Sequence, residues 1–206
     1  IEAMYDLVAK EYAEEFIDEH AQKPKDQEML QRFARDMGGS GPVWDLGCGP
    51  GQTTRYLADL GVQISGLDLS ENILDQARAL NPDICFQKGS MLDLEFEDNS
   101  MAGVVAFYAI VHFSQEQVKT AFREIFRVLR PGGLFLFTFH IGEETIHLDE
   151  FLGKKVDLDV SFFTTDFILS CLERCGFKEI DLMEREPYPE VEYQSRRAYV
   201  FARKPV

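Results

Sequence analysis

Three alternate glycines, Gly47, Gly49 and Gly51, stand between a short apolar run, Val43-Trp44-Asp45-Leu46, and a stretch of helical periodicity carrying Thr54, Leu57, Ala58 and Leu60. Glycine has no Cβ, so such a turn lets a ligand press against the main chain. The N–H groups that open the helix lack intrahelical partners and can receive polar ligand atoms. The spacing argues against a dinucleotide. A G-x-G-x-x-G fingerprint counted from Gly47 needs glycine at position 52, which is Gln52. The pattern is instead D-x-G-x-G-x-G, led by Asp45. Asp68 closes the next apolar run, 19 residues after Gly49. That is near the offset of about 20 at which a carboxylate meets ribose hydroxyls.

Further along, Gly89-Ser90-Met91 and Phe107-Tyr108-Ala109-Ile110-Val111-His112-Phe113 each follow an apolar run. The serine oxygen can accept one hydrogen bond. Tyr108 either points a hydroxyl at a substrate or packs as an ordinary aromatic. His112 either serves as a general base or braces the start of a helix. His140 and His147 share no metal-ligand spacing, and their roles stay open. Cys48, Cys85, Cys171 and Cys175 show no disulfide framework and no clustered partners, so no metal site is expected. They read as thiols of a reducing cytoplasm. A net charge of −15 argues against nucleic acid and anionic membrane surfaces, because phosphate binding depends on Lys and Arg. The start, Ile1-Glu2-Ala3-Met4, lacks the basic and apolar regions of a signal peptide, and no run is long enough to span a bilayer.

The elements that must position these residues alternate between strand and helix. A helix is expected from Met4 to His20, with Tyr5, Val8, Ala9, Tyr12 and Phe16 on one face. A second carries Met29, Leu30, Phe33 and Met37, stopped by Gly38-Gly39. Strands are expected at Val43–Leu46, Val62–Leu67, Ile84–Phe86, Gly103–Phe107 and Leu134–Phe139. Ser70 and Ser114 cap the helices after the second and fourth, Ser114 forming a capping box with Gln117. Pro131-Gly132-Gly133 ends the latter helix. Residues 141–160 read as irregular and charged. A last helix runs inward through Phe167, Ile168, Cys171, Leu172 and Cys175. Two closing strands, about 178–185 and 197–202, pair antiparallel at an edge. The pattern predicts a doubly wound, Rossmann-like α/β sheet of seven strands, mostly parallel, with ligands beyond the strand C-termini. The chain is expected to be one domain, with a helical cap over 1–40, a ligand-binding core over 41–140 and a substrate-side segment over 141–206.

The stretch from Val43 to Pro131 resembles the class I S-adenosylmethionine-dependent methyltransferases of the small single-domain kind. The glycine turn, Asp68, Gly89-Ser90-Met91 and Leu129-Arg130-Pro131-Gly132-Gly133 carry the likeness by their order and spacing. The resemblance implies S-adenosyl-L-methionine as cofactor. It implies that Gly47, Cys48, Gly49 and Gly51 hold its methionine part by main chain, and that Asp45 places its amino group. Asp68 would hold the ribose, Leu69 the adenine edge, and Ser90 and Met91 the adenine. Many relatives carry Asp where Ser90 stands, which leaves that contact less determined. Phe107 and Ala109 would lie under the sulfonium, with Tyr108 and His112 as candidate catalytic groups. Tyr5 and Tyr12 resemble the family's Y-D-x-x-A-x-x-Y element, whose helix closes over the cofactor; the same residues also read as a plain amphipathic stripe. The implied activity is methyl transfer to a small molecule by in-line displacement, in a monomer or homodimer. The alternative is a non-catalytic module that binds or senses the cofactor.

Overall fold

Continuous apolar runs make strands that are buried on both faces. In the computed structural model, which describes residues 1–206, seven strands form one sheet, the inner ones of this kind and the edge strands β3 and β8 largely exposed: β1 (Val43–Leu46), β2 (Ile64–Asp68), β3 (Phe86–Lys88), β4 (Met101–Ala106), β5 (Leu129–His140), β8 (Lys178–Arg185) and β9 (Arg197–Arg203). Their order is β3-β2-β1-β4-β5-β9-β8. The first five run parallel, and β9 runs antiparallel to both its neighbours. The antiparallel strand therefore lies one place in from the edge, which β8 forms. Strand β4 shows why the sheet needs cover on both sides. Val104 and Ala106 pack with α5 (Gln115–Val128) and α6 (Thr165–Cys175), whereas Ala102 and Val105 pack with α2 (Pro24–Met37) and α3 (Gln52–Asp59).

Local chemistry sets the helix starts. The Ser70 side chain accepts from the Ile73 N–H to open α4 (Glu71–Leu80), and Ser114 with Gln117 forms the full capping box of α5. Chain order reverses between β1 and β4, so their C-terminal ends diverge and leave the crevice where such sheets bind ligands.

The structure departs from sequence expectation in four places. Helix α1 spans Glu2–Phe16, and a separate 3-10 turn, Glu19–Gln22, carries His20. Leu60, expected inward, follows the end of α3 and is exposed. Pro131-Gly132-Gly133 lies within β5, since α5 already ends at Val128. The α region is disfavoured for the residue before a proline, which helps turn the chain out of the helix there. The largest departure is at 141–160. It forms a hairpin of β6 (Thr145–Phe151) and β7 (Lys154–Ser161), a second, two-stranded sheet. Its alternation of Ile146, Leu148, Val156, Leu158 and Val160 with charged or polar residues is that of a half-buried ribbon, masked by the density of charge. The turn residues Leu152 and Gly153 both adopt positive φ, as a two-residue type I′ turn demands. Helix α1 and this hairpin share an apolar cluster of Met4, Val8 and Leu158, and together they roof the crevice.

Candidate functional site

The crevice is a cavity of about 610 Å3, within the range of small-molecule sites. Its first half is built by the ends of β1 and β2. The Gly47 and Cys48 N–H groups donate to the Leu67 carbonyl (2.7 and 3.1 Å), extending the ladder past the strand. Gly47 sits at φ +71°, and a Cβ there would come within 2.6 Å of Ala109 Cβ. Glycine is thus required where the turn after β1 meets the loop after β4. Gly49 donates to Asp68 Oδ2 (2.9 Å), and Ser70 N–H donates to Asp68 Oδ1 (3.0 Å). One carboxylate thereby ties the glycine turn to the start of α4. Each of its oxygens keeps one acceptor position. Burial raises its pKa, and its backbone hydrogen bonds offset that rise only in part.

Asp45 is buried and accepts from Thr54 Oγ1 (2.7 Å); burial pushes its pKa up to about 7. Gln52 and Thr53 open α3 and line the cavity. Gln52 Nε2 donates to Glu19 Oε1 (2.8 Å), and its own Oε1 is buried with no partner in the protein.

The second half lies beyond β4 and β5. Tyr108 holds φ +51°, and its N–H donates to Thr138 Oγ1 (2.8 Å). Its ring lines the cavity, but its hydroxyl is buried without a partner, and burial raises its pKa. Behind it lies a network of charges. Asp26 accepts from Tyr199 and Arg185, Arg185 also pairs with Glu192, and Arg197 Nε lies 3.2 Å from Glu192. Lys23 pairs with Glu19 at 2.7 Å.

His112 has both ring nitrogens engaged. A carbonyl can only accept, so Nδ1–H donates to Asp159 O (2.8 Å). Nε2 then accepts from the Tyr5 hydroxyl (2.8 Å). Burial lowers the His112 pKa and raises that of Tyr5, so both stay neutral. The trio joins α1, the loop after β4 and the hairpin. Lys154 to Glu11 (3.0 Å) and Asp6 to Ser70 Oγ (2.6 Å) fasten the same roof at two further points. A general-base role for His112 would require Tyr5 to leave Nε2.

Of the residues singled out from sequence, Tyr5, Tyr12, Asp45, Gly47, Cys48, Gly49, Asp68, Leu69, Ser90, Met91, Phe107, Tyr108, Ala109 and His112 all line this one cavity. Gly51 does not. It has φ +89° at the N-cap of α3, where a Cβ would press on Asn81 and Phe86 at 2.9 Å. Glu19, Lys23, Gln52, Glu192 and Arg197 also line the cavity and were not singled out. Arg197 had a legible signal, the second of two arginines and the one that abuts the apolar run Ala198-Tyr199-Val200-Phe201.

Comparison with known proteins decides the family. The methyltransferase domain family model matches residues 43–133. A probable S-adenosylmethionine-dependent methyltransferase of Mycolicibacterium smegmatis is 31% identical over 166 residues, 74% of this chain and 63% of the relative. The chain carries a domain of the class I S-adenosylmethionine-dependent methyltransferase family.

An S-adenosylmethionine-dependent methyltransferase structure from Mesorhizobium loti shares the methyltransferase fold with TM-score 0.68 at 24% identity, over 86% of this chain and 96% of that one. The cyclase SpnF shares it with TM-score 0.78 at 19% identity, over 100% and 96%. The chain spans less than two thirds of the length of the M. smegmatis relative. The cavity's lining fits the family's cofactor on its own chemistry. Asp68 offers two acceptor positions to a diol, and the unpartnered Gln52 Oε1 beside Glu19 offers an acceptor to an ammonium. The carboxylates of Asp45, Asp68, Glu15 and Glu19 line the cavity and suit a cationic ligand.

Proposed function

We propose that this protein transfers a methyl group from S-adenosyl-L-methionine to a small-molecule acceptor by in-line displacement. The observation that carries this reading is the continuity of the cavity. The glycine turn and Asp68 open into the same space as an apolar chamber walled by Ile146, Leu148, Leu158, Val160 and Phe162. When bound, the cofactor supplies a methyl group already activated on a sulfonium. The chain's own task is then alignment and exclusion of water.

In this reading Asp68 holds the ribose hydroxyls. Leu69, Ser90 and Met91 border the adenine. Asp45, Gln52 and Glu19 face the amino group, with Gly47, Cys48 and Gly49 against the methionine part. Phe107 and Ala109 form the wall beneath the reacting centre. Tyr108 shapes the acceptor side through its ring. Gly51 serves indirectly, by letting α3 start against Phe86 and Asn81. Tyr5, Tyr12 and His112 hold the roof closed, and the hairpin shields the acceptor from water. The network of Asp26, Arg185, Tyr199, Glu192 and Arg197 closes the far end.

Acidity over the whole chain supports a small molecule rather than nucleic acid as acceptor. No helix is long and apolar enough to cross a membrane. The proposed activity resides in a single domain, monomeric or homodimeric, in the cytoplasm. Calorimetric titration with S-adenosylmethionine, followed by turnover to S-adenosylhomocysteine against a panel of small metabolites, tests the proposal. Folded protein with no affinity in the micromolar range would overturn it. Binding without turnover would favour the sensing module.

A further inference from the structure

His140 ends β5 at the far side of the cavity from Asp68 in strand order. The parallel pairing of β4 with β5 brings it beside Tyr108, their ring centres 5.3 Å apart. Phe162 of the hairpin side stacks on the imidazole at 5.2 Å and 21°. Two aromatic neighbours therefore fix the ring plane. Ser195 Oγ lies 2.6 Å from Nδ1. The segment that carries Ser195 is itself pinned, since Arg197 donates to the carbonyls of Tyr193 (2.9 Å) and Ser195 (2.7 Å). Nε2 makes no hydrogen bond within the protein, although every other feature of the ring is held. A ring so thoroughly oriented, with one nitrogen left over at a cavity wall, is built to meet a ligand.

Resting on the methyl-transfer reading, we propose that His140 is a catalytic residue that accepts the proton of a hydroxyl-bearing acceptor, with Ser195 as its positioning residue. With Nδ1–H donated to Ser195 Oγ, the lone pair lies on Nε2. The acceptor oxygen forms the new C–O bond with a lone pair as the methyl–sulfur bond breaks and its electrons stay on sulfur. The hydroxyl proton passes to Nε2 and from there to solvent.

The surroundings select the hydroxyl. Arg197, Lys23 and Arg185 oppose positive charge at His140, against Glu192 alone, so Nε2 keeps a lone pair that can meet the O–H of a hydroxyl. A carboxylate acceptor would have no proton to hand over. Burial and those cations hold the imidazole's pKa down to about 3, so the base is unprotonated at neutral pH. So weak a base suffices for a hydroxyl, which becomes strongly acidic as the C–O bond forms.

The test uses the full chain saturated with S-adenosylhomocysteine, titrated calorimetrically with 4-ethylphenol and 4-ethylanisole. The phenol is expected to bind about tenfold more tightly than its methyl ether, the weight of one buried hydrogen bond. His140→Phe keeps the stack and should abolish that preference. Ser195→Ala should weaken it about threefold. Nitrogen NMR of labelled histidine should show Nε2 unprotonated in the wild type and shifted by the phenol but not by the ether. Equal binding of phenol and ether, or a preference that survives His140→Phe, overturns the inference. Loss of S-adenosylhomocysteine binding in the wild type would instead bring down the methyl-transfer reading on which it stands.

Discussion

Replacing Asp68 by alanine probes the joint between the two halves of the cofactor site. Its two oxygens each hold one backbone N–H, Gly49 at 2.9 Å and Ser70 at 3.0 Å. In the proposed complex each also receives one ribose hydroxyl. Hydrogen bonds to a charged group contribute about 1.5–3 kcal/mol each. Loss of even one from the bound state raises the dissociation constant for S-adenosylhomocysteine about 10- to 150-fold. The variant also frees the Gly49 and Ser70 N–H groups. Ser70 retains its cap to Ile73, so α4 stays anchored and the melting temperature falls by only several degrees.

Calorimetry with two ligands separates direct from transmitted effects. Methylthioadenosine carries the ribose without the amino acid, and S-adenosylhomocysteine carries both. Equal losses for the two ligands assign Asp68 to the ribose. A loss confined to S-adenosylhomocysteine would mean that the glycine turn, not the ribose, had been disturbed. Affinity within twofold of wild type, in folded Asp68→Ala protein, would refute the site as drawn.

Three further outcomes are expected. Tyr5→Phe removes the hydroxyl that Nε2 of His112 accepts, loosening the roof by about 1 kcal/mol. Amide exchange over Glu2–Phe16 should then quicken about fivefold, and unchanged exchange would show that the trio is no latch. Asp45 has its pKa raised by burial, so the stability it lends is full below about pH 4 and is lost as pH rises through about 7. Asp45→Asn does not titrate, and the ligand-free variant should gain on wild type by a few kcal/mol between pH 4.5 and 8; a pH-independent difference in melting temperature would contradict this. Gly47→Ala forces a Cβ against Ala109 at 2.6 Å in left-handed backbone, and should cost about 2–4 kcal/mol of stability by denaturant titration. A change under 1 kcal/mol would show that the turn is slack.

Much of this molecule could be read from residue order alone, because the information was local. Alternating glycines after a four-residue apolar run, a carboxylate at the next strand end, and serine caps at Ser70 and Ser114 each act through neighbours a few positions away. Their physics is therefore written in consecutive letters. The alternation of strand and helix also sufficed for the sheet, since right-handed crossovers leave few arrangements.

Other features depended on contacts between distant segments. The hairpin at 145–161 buries its apolar side where Leu158 meets Met4 and Val8, more than 140 residues earlier. Charge density in its own sequence hid that side. Sequence leaves His112 open between a general base and a brace for the helix start, and only the fold brings Tyr5 and the Asp159 carbonyl, from two other elements, onto its nitrogens. Tyr108 was legible as a cavity residue, but not that its hydroxyl would be buried. His140 carried no local signal at all. Its orientation comes from Ser195, Tyr108 and Phe162, three segments that converge only once the sheet has closed, and burial there gives the imidazole a basicity that no reading of its neighbours in sequence could supply.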